Sequence, residues 1–278
     1  MHVSLDSALG RQRRLNSVGE SALQIAPNAA AAYSLRSLTG GDPKVVRVRR
    51  DTGGGAGDND EEDFTVSGIS SGALVDFVGA GNDGFVETWY DQSGNGRDAE
   101  QETASKQPKI VNSGSLIGNG LDFDGSGDLL NLPHPLISNI NSASLLVVAT
   151  NEATGFQFSQ LIGVSLSSVV PFQMPFYFIA NLFTAYSSSS IDLGAADTNK
   201  HLFTTVAGSS NTESFLDSTS KGTLDSVSGY NEPSSGGLGG ASAGTWNGKI
   251  EEIIIYASDQ SDNRVALEDN IMTNYGIS

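Results

Sequence analysis

Phe85-Val86-Glu87-Thr88-Trp89-Tyr90-Asp91-Gln92-Ser93-Gly94-Asn95-Gly96-Arg97-Asp98 is a strand that ends in aromatic residues and runs straight into a turn. Phe85, Trp89 and Tyr90 carry large apolar area. Asp91 is placed to hydrogen-bond backbone two residues on; Gly94 and Gly96 are free to take positive φ, and Asn95 tolerates it. Two readings follow. In one, the stretch is a structural corner with Trp89 in the core and Asp91 capping the turn. In the other, it is a sheet rim that presents rings, carboxylate and amide oxygens to a ligand.

The rest of the chain agrees with a strand-and-turn architecture. Of 278 residues, 38% are hydrophobic, 17% charged and 33 are glycine, with Ser, Asn and Thr filling much of the remainder. That profile fits many short strands joined by polar turns better than a helical bundle. Val45-Val46-Arg47-Val48-Arg49-Arg50 alternates as a half-exposed strand does. Further strands are predicted at 64–66, 109–111, 121–123, 144–150, 160–166, 176–179, 201–207 and 250–256. A short helix is predicted at 72–78, with Leu74, Phe77 and Val78 on one face. The clearest helix spans 259–278, with Ser261 as its cap, Leu267, Ile271 and Tyr275 along one face, and Gly276 at its end.

Several chemistries are excluded. There is no cysteine, so neither disulfides nor thiolate metal sites form, and His2, His134 and His201 are too scattered for a multi-histidine site. The densest apolar run, Leu145-Leu146-Val147-Val148-Ala149, is strand-sized and too short to span a bilayer. Asp58, Asp60 and Asp63 lie in a Gly-rich acidic loop that reads as solvated or as a calcium site lacking the EF-hand pattern; no other cofactor is expected.

Charge is split along the chain. Residues 1–50 hold eight Lys/Arg against Asp6, Glu20 and Asp42, a net +5, which leaves −22 for the rest of a chain of net −17. An acidic body repels nucleic acid and anionic membrane, so neither is expected as a partner. Residues 1–30 read as a docking arm, with Leu5, Leu9 and Leu15 beside Arg11, Arg13 and Arg14. Residues 31–278 read as one β-sandwich domain. Asn16, Ser17, Glu20, Ser21 and Gln24 interrupt the segment after the arginines, a poor fit to a secretory signal.

Tyr33-Ser34-Leu35-Arg36, Val46–Arg50, Phe85–Gly96 and Gln107-Pro108-Lys109-Ile110-Val111 together resemble the catalytic domain of fungal-type α-L-arabinofuranosidase B. Leu121-Asp122-Phe123-Asp124-Gly125, Trp246–Tyr256 and the terminal helix with Tyr275-Gly276-Ile277 resemble the wider concanavalin A-like lectin/glucanase (LamG-like) superfamily, segments also found in bacteriophage structural proteins. The resemblance covers residues 30–278 in scattered blocks and implies an all-β, concanavalin A-like jelly-roll sandwich. Glycoside hydrolysis needs two carboxyl groups flanking the scissile bond. Against the family's pattern, Ile179 in Ile179-Ala180-Asn181-Leu182-Phe183 stands where its nucleophilic Glu would be. Ala241, after Gly239-Gly240, stands where its acidic Asp would be.

A lectin-like scaffold without that pair, a charge-split arm and no leader together predict a non-enzymatic bacteriophage virion surface protein, a capsid decoration, fibre or tail-associated module. Its arm would dock on other virion proteins, as a homo-oligomer such as a trimer, on particles made in the host cytoplasm and released by lysis. The glycan-binding candidates on the same domain are Trp89, Tyr90, Asp91, Asn95, Tyr177 and Trp246, because rings stack on sugars and Asp or Asn side chains fix hydroxyls. The alternative is a glycoside hydrolase of the arabinofuranosidase B type.

Overall fold

The inner strands are apolar on both faces because both faces are covered. In Ala143–Asn151, Leu145, Val147 and Ala149 point into one core with Val46, Val48, Val86, Trp89 and Ile253. Leu146 and Val148 point the other way and join Leu202, Ile254, Tyr256, Leu267 and Ile271 in a second core under the C-terminal helix. The fold is therefore an all-β sandwich with a helix packed on one outer face, as the sequence predicts. The computed structural model describes residues 19–133, 138–140, 142–152, 159–160, 162–164, 176–179, 182–186, 190–225, 230–231, 236–241 and 244–278. The arm residues Leu5, Leu9, Arg11, Arg13, Arg14 and Leu15 lie outside them.

The main sheet runs, in spatial order, through Asp83–Trp89, Lys109–Asn112, Leu121–Asp124, Asn247–Tyr256, Ala143–Asn151, Lys200–Ala207, Asn211–Leu216 and Thr219–Asp225, each neighbour antiparallel. Lys44–Asp51 pairs with Asp83–Trp89 and with Glu61–Thr65, and Ala31–Ser34 pairs with Asn247–Tyr256. A bulge changes the register once: Val148 pairs with Glu252 and Ala149 with Ile250, which leaves Glu251 as an extra residue. The extra residue flips the side-chain parity, so Ile250 and Ile253 both face the inner core while Glu251 and Glu252 turn away from it.

Small differences from the sequence reading have local causes. Val66 starts a helical turn, Val66–Ser70, because the Thr65 side chain accepts from Gly68 N–H at 3.2 Å and caps it. The C-terminal helix is Ser261–Tyr275; Ser261 is its first helical residue rather than its cap, and Asp259 accepts from the Ser261 N–H at 2.9 Å. Gly276, at φ 67°, ends the helix as expected. Of the segment read as an arm, residues 19–30 are described and packed: Ala22, Ala26 and Ala29 are buried in the second core, and Tyr256 Oη donates to Ala26 O at 2.9 Å.

Candidate functional site

The Thr88–Asp98 corner is a clasp on the first strand. One Asp91 oxygen accepts from Ala32 N–H at 2.9 Å and Ser93 N–H at 2.8 Å; the other accepts from Ser93 Oγ at 2.7 Å and Arg97 N–H at 3.1 Å. Asn95 Nδ2 donates to Ala29 O and Ala30 O. Gln92, 6% exposed, donates to Ser34 O and Arg36 O and accepts from Leu38 N–H. Trp89 is fully buried, its ring 5.8 Å from that of Tyr33. Tyr90 donates to Asp63 at 2.7 Å, and burial followed by that carboxylate raises its pKa. Trp246 is 1% exposed. The corner therefore fastens residues 29–38, and neither indole offers a free face to solvent. Tyr177 lies on Phe176–Ile179, opposite Gln160 and Thr184.

The acidic loop does not gather into a cation site. Asp58 accepts from Thr52 N–H at 2.8 Å, Asp60 pairs with Arg50, and Asp63 pairs with Lys44 and Arg47, both at 2.8 Å. The Arg47 hydrogen bond, ahead of the Lys44 and Tyr90 contacts, holds Asp63 well below the usual carboxylate range. Among the described residues no three His, Cys, Asp or Glu side chains are grouped to hold a metal ion.

A different group of residues converges on the sheet's outer face. Opposite residues on antiparallel strands share a face. The register aligns Arg49 with Phe85, Phe85 with Lys109, Lys109 with Asp122, and Asp122 with Lys249. Their chain neighbours Val48, Val86, Ile110, Leu121, Phe123 and Ile250 fill the inner core, so this row faces outward. Arg49, Phe85, Lys109 and Asp122 form the floor of a cleft of about 570 Å³. The Ala104–Gln107 turn, Asn59 and the Asp124–Asp128 loop wall it.

The floor is held in place. Arg49, 6% exposed, donates to Gln107 Oε1 at 2.8 Å and Asn59 Oδ1 at 3.0 Å, and its guanidinium lies 5.0 Å from the Phe85 ring. Lys109 pairs with Asp83 at 2.8 Å and stands 5.4 Å from the same ring. The acidic wall is electrostatically uneven. Burial of Asp124 opposes ionisation, but hydrogen bonds from Ser126, Asp128 and Gly127 outweigh it and lower the pKa. Burial, with Asp124 and Asp122 nearby, pushes Asp128 up to about 7; its carboxylate accepts from Asp124 N–H at 3.0 Å. Asp122 is raised by burial and by Glu152.

Of the stretch that opened the sequence reading, Phe85 lies on this floor, whereas the glycan-binding candidates Trp89, Tyr90, Asp91, Asn95 and Trp246 do not line the cleft. The available signal was Asp122-Phe123-Asp124-Gly125-Ser126-Gly127-Asp128, three carboxyls at a strand end beside two glycines. Ile179 pairs with Leu182, and Ala241 with Gly244; the strand Ser159–Gln160 pairs with the first segment and packs beside the second.

No family model matches the chain, and no curated protein matches it. Solved structures do. A GH54 α-L-arabinofuranosidase soaked with a cyclic sulfate inhibitor superposes with a TM-score of 0.65 at 14% identity, over 91% of this chain and 64% of that one. An arabinofuranosidase complexed with arabinofuranosyl-α-1,2-xylobiose gives 0.62 at 13% identity, over 90% and 64%. Trypanosoma rangeli sialidase with sialic acid gives 0.51 at 15% identity, over 67% of this chain and 31% of that one. The chain thus spans less than two thirds of the arabinofuranosidases it matches, and at these identities the likeness is one of fold. It corrects the expectation of a bacteriophage virion surface protein: the structures it superposes on are glycoside hydrolases, so in fold the chain stands nearer the arabinofuranosidase-type alternative.

Proposed function

We propose that this chain is a glycan-binding protein on a glycosidase-type β-sandwich, with the sugar held in the cleft over Arg49, Phe85, Lys109 and Asp122. The observation that carries the reading is the composition of that cleft. Sugar hydroxyls both donate and accept, and the cleft offers donors from Arg49, Lys109 and Asn59, acceptors from Asp122 and Asp124, and one apolar ring, Phe85. Its volume of about 570 Å³ lies within the usual range for ligand sites. Ile179 and Ala241 stand where the resembled family carries its catalytic carboxyls, which favours binding without turnover. Calorimetric titration of a glycan panel tests the reading, with Asp122→Ala and Lys109→Ala as controls. Binding that both variants abolish is expected; no binder at millimolar concentration, or binding indifferent to both, refutes it.

A second reading, glycoside hydrolysis in the same cleft, is favoured by the opposite shifts of Asp124 and Asp128. Carboxyls pushed apart in this way divide acid and base roles in glycosidases. Release of chromophore from an aryl arabinofuranoside panel, lost in Asp128→Asn, would establish it; no release from any member would remove it.

A further inference from the structure

Next to the first cleft lies a second, of about 360 Å³, lined by Asp98, Glu100, Glu102, Thr103, Asn131 and Leu132. The two are consecutive along the same pair of segments. On one side, residues 101–103 border the second cleft and 104–107 the first; on the other, Asp128 borders the first and 131–133 the second. Between them the exposed turn Ala104–Lys106 stands as a low ridge. Three residues of such a turn rise about 6 Å, comparable to one sugar ring.

The ridge is anchored from below. Gln101 and Gln107 are 4% and 2% exposed, so the amides at both ends of the turn are buried. Gln107 Nε2 donates to Gln101 O at 2.8 Å, Gln101 Nε2 donates to Leu129 O at 2.7 Å, and Leu129 N–H donates to Lys106 O at 3.0 Å. A ligand resting across this turn meets a surface that is already ordered, so binding loses little loop entropy.

Charge sorts the ligands. The second cleft has three carboxylates and no Lys or Arg in its lining. In the first, four Asp face Arg49 and Lys109, which are themselves engaged with Asp51 and Asp83. Burial, then repulsion from Glu87, Asp98 and Glu102, raises the Glu100 pKa, a sign that negative charge is already crowded there. A chain of net −17 adds a repulsive field for any polyanion.

Resting on the glycan-binding reading, we infer that the ligand is a linear oligosaccharide without carboxylate or sulfate groups, laid across the ridge with sugar rings in both clefts. The test is calorimetry on the full chain with linear gluco-, xylo- and arabino-oligosaccharides from mono- to hexasaccharide, and with oligogalacturonides of matched length. The expected result is at least a tenfold gain in affinity from mono- to hexasaccharide in the neutral series that binds. Glu102→Ala with Asn131→Ala, both exposed side chains, removes that gain and leaves monosaccharide affinity unchanged. Oligogalacturonides bind at least tenfold more weakly. Affinity independent of length, a length gain untouched by the double variant, or preferred binding of the uronates each overturns the inference while leaving glycan binding in place. Binding by none of the sugars overturns the reading beneath it.

Discussion

Asp91→Ala removes the shared acceptor of four hydrogen bonds, from Ala32 N, Ser93 N, Ser93 Oγ and Arg97 N, at distances of 2.7 to 3.1 Å. Hydrogen bonds to a charged partner contribute about 1.5–3 kcal/mol each. The four share one half-buried carboxylate, and water replaces part of what is lost at the Ser93 and Arg97 side, so they do not add fully. The Ala32 N–H is different: it belongs to a strand buried at every position and is left without its acceptor. A loss of about 3–4 kcal/mol is expected, large for a single substitution. With a urea m-value of about 3 kcal/mol/M, the unfolding midpoint falls by about 1 M at unchanged slope. Asp91→Asn, which retains one acceptor oxygen, falls between. A midpoint shift below about 0.3 M at unchanged slope would refute the clasp. Wild-type stability combined with lost glycan affinity would make the corner a ligand rim instead.

Three further outcomes follow from buried charge. Arg36→Met leaves Glu252, 1% exposed and paired with Arg36 at 2.7 Å, without its cation; urea melts should show a loss of about 3–5 kcal/mol, and Arg36→Met with Glu252→Leu should recover part of it. Asp128 has a folded pKa near 7, above its unfolded value, so the native state holds the extra proton and stability falls as pH rises from about 4 to 7. Asp128→Asn should therefore gain on the order of 2 kcal/mol at pH 8 and nothing at pH 3.5, and equal profiles for the two proteins would count against the buried carboxyl. His201 is held by Asp217 at 2.6 Å and Asp197 at 2.9 Å, and those hydrogen bonds raise its pKa against the effect of burial. Its contribution is complete below about pH 6.5 and is lost as pH rises through the higher folded value, so His201→Asn should flatten that decline in thermal melts.

What could be read from the chain followed from periodicity and size. The apolar run at 144–150 and the helix ending at Gly276 lie where local pattern and burial agree; the Val–Arg run of residues 45–50 is a strand as read, but its burial does not alternate, because Arg49 is covered at the cleft floor. The strands Asn211–Leu216 and Thr219–Asp225 were illegible because their hairpin is largely polar, and its turn uses Asp217 and Ser218 at φ 50° and 65° in place of glycine. The cleft was hidden for another reason. Arg49, Phe85, Lys109 and Asp122 are brought side by side only by the register of four strands, which no local pattern records. The aromatic corner was legible as a turn, but its chemistry was not: the same Asp91 and Asn95 that suit a sugar rim are consumed by the backbone of residues 29–32.

The most direct measurement is backbone NMR of the full chain titrated with neutral oligosaccharides. The account requires shifts concentrated at Arg49, Phe85, Gln107, Lys109, Asp122 and Asp128, and their loss in Asp122→Ala. Saturating binding with shifts confined to other surfaces, or no shift at millimolar sugar, would contradict it.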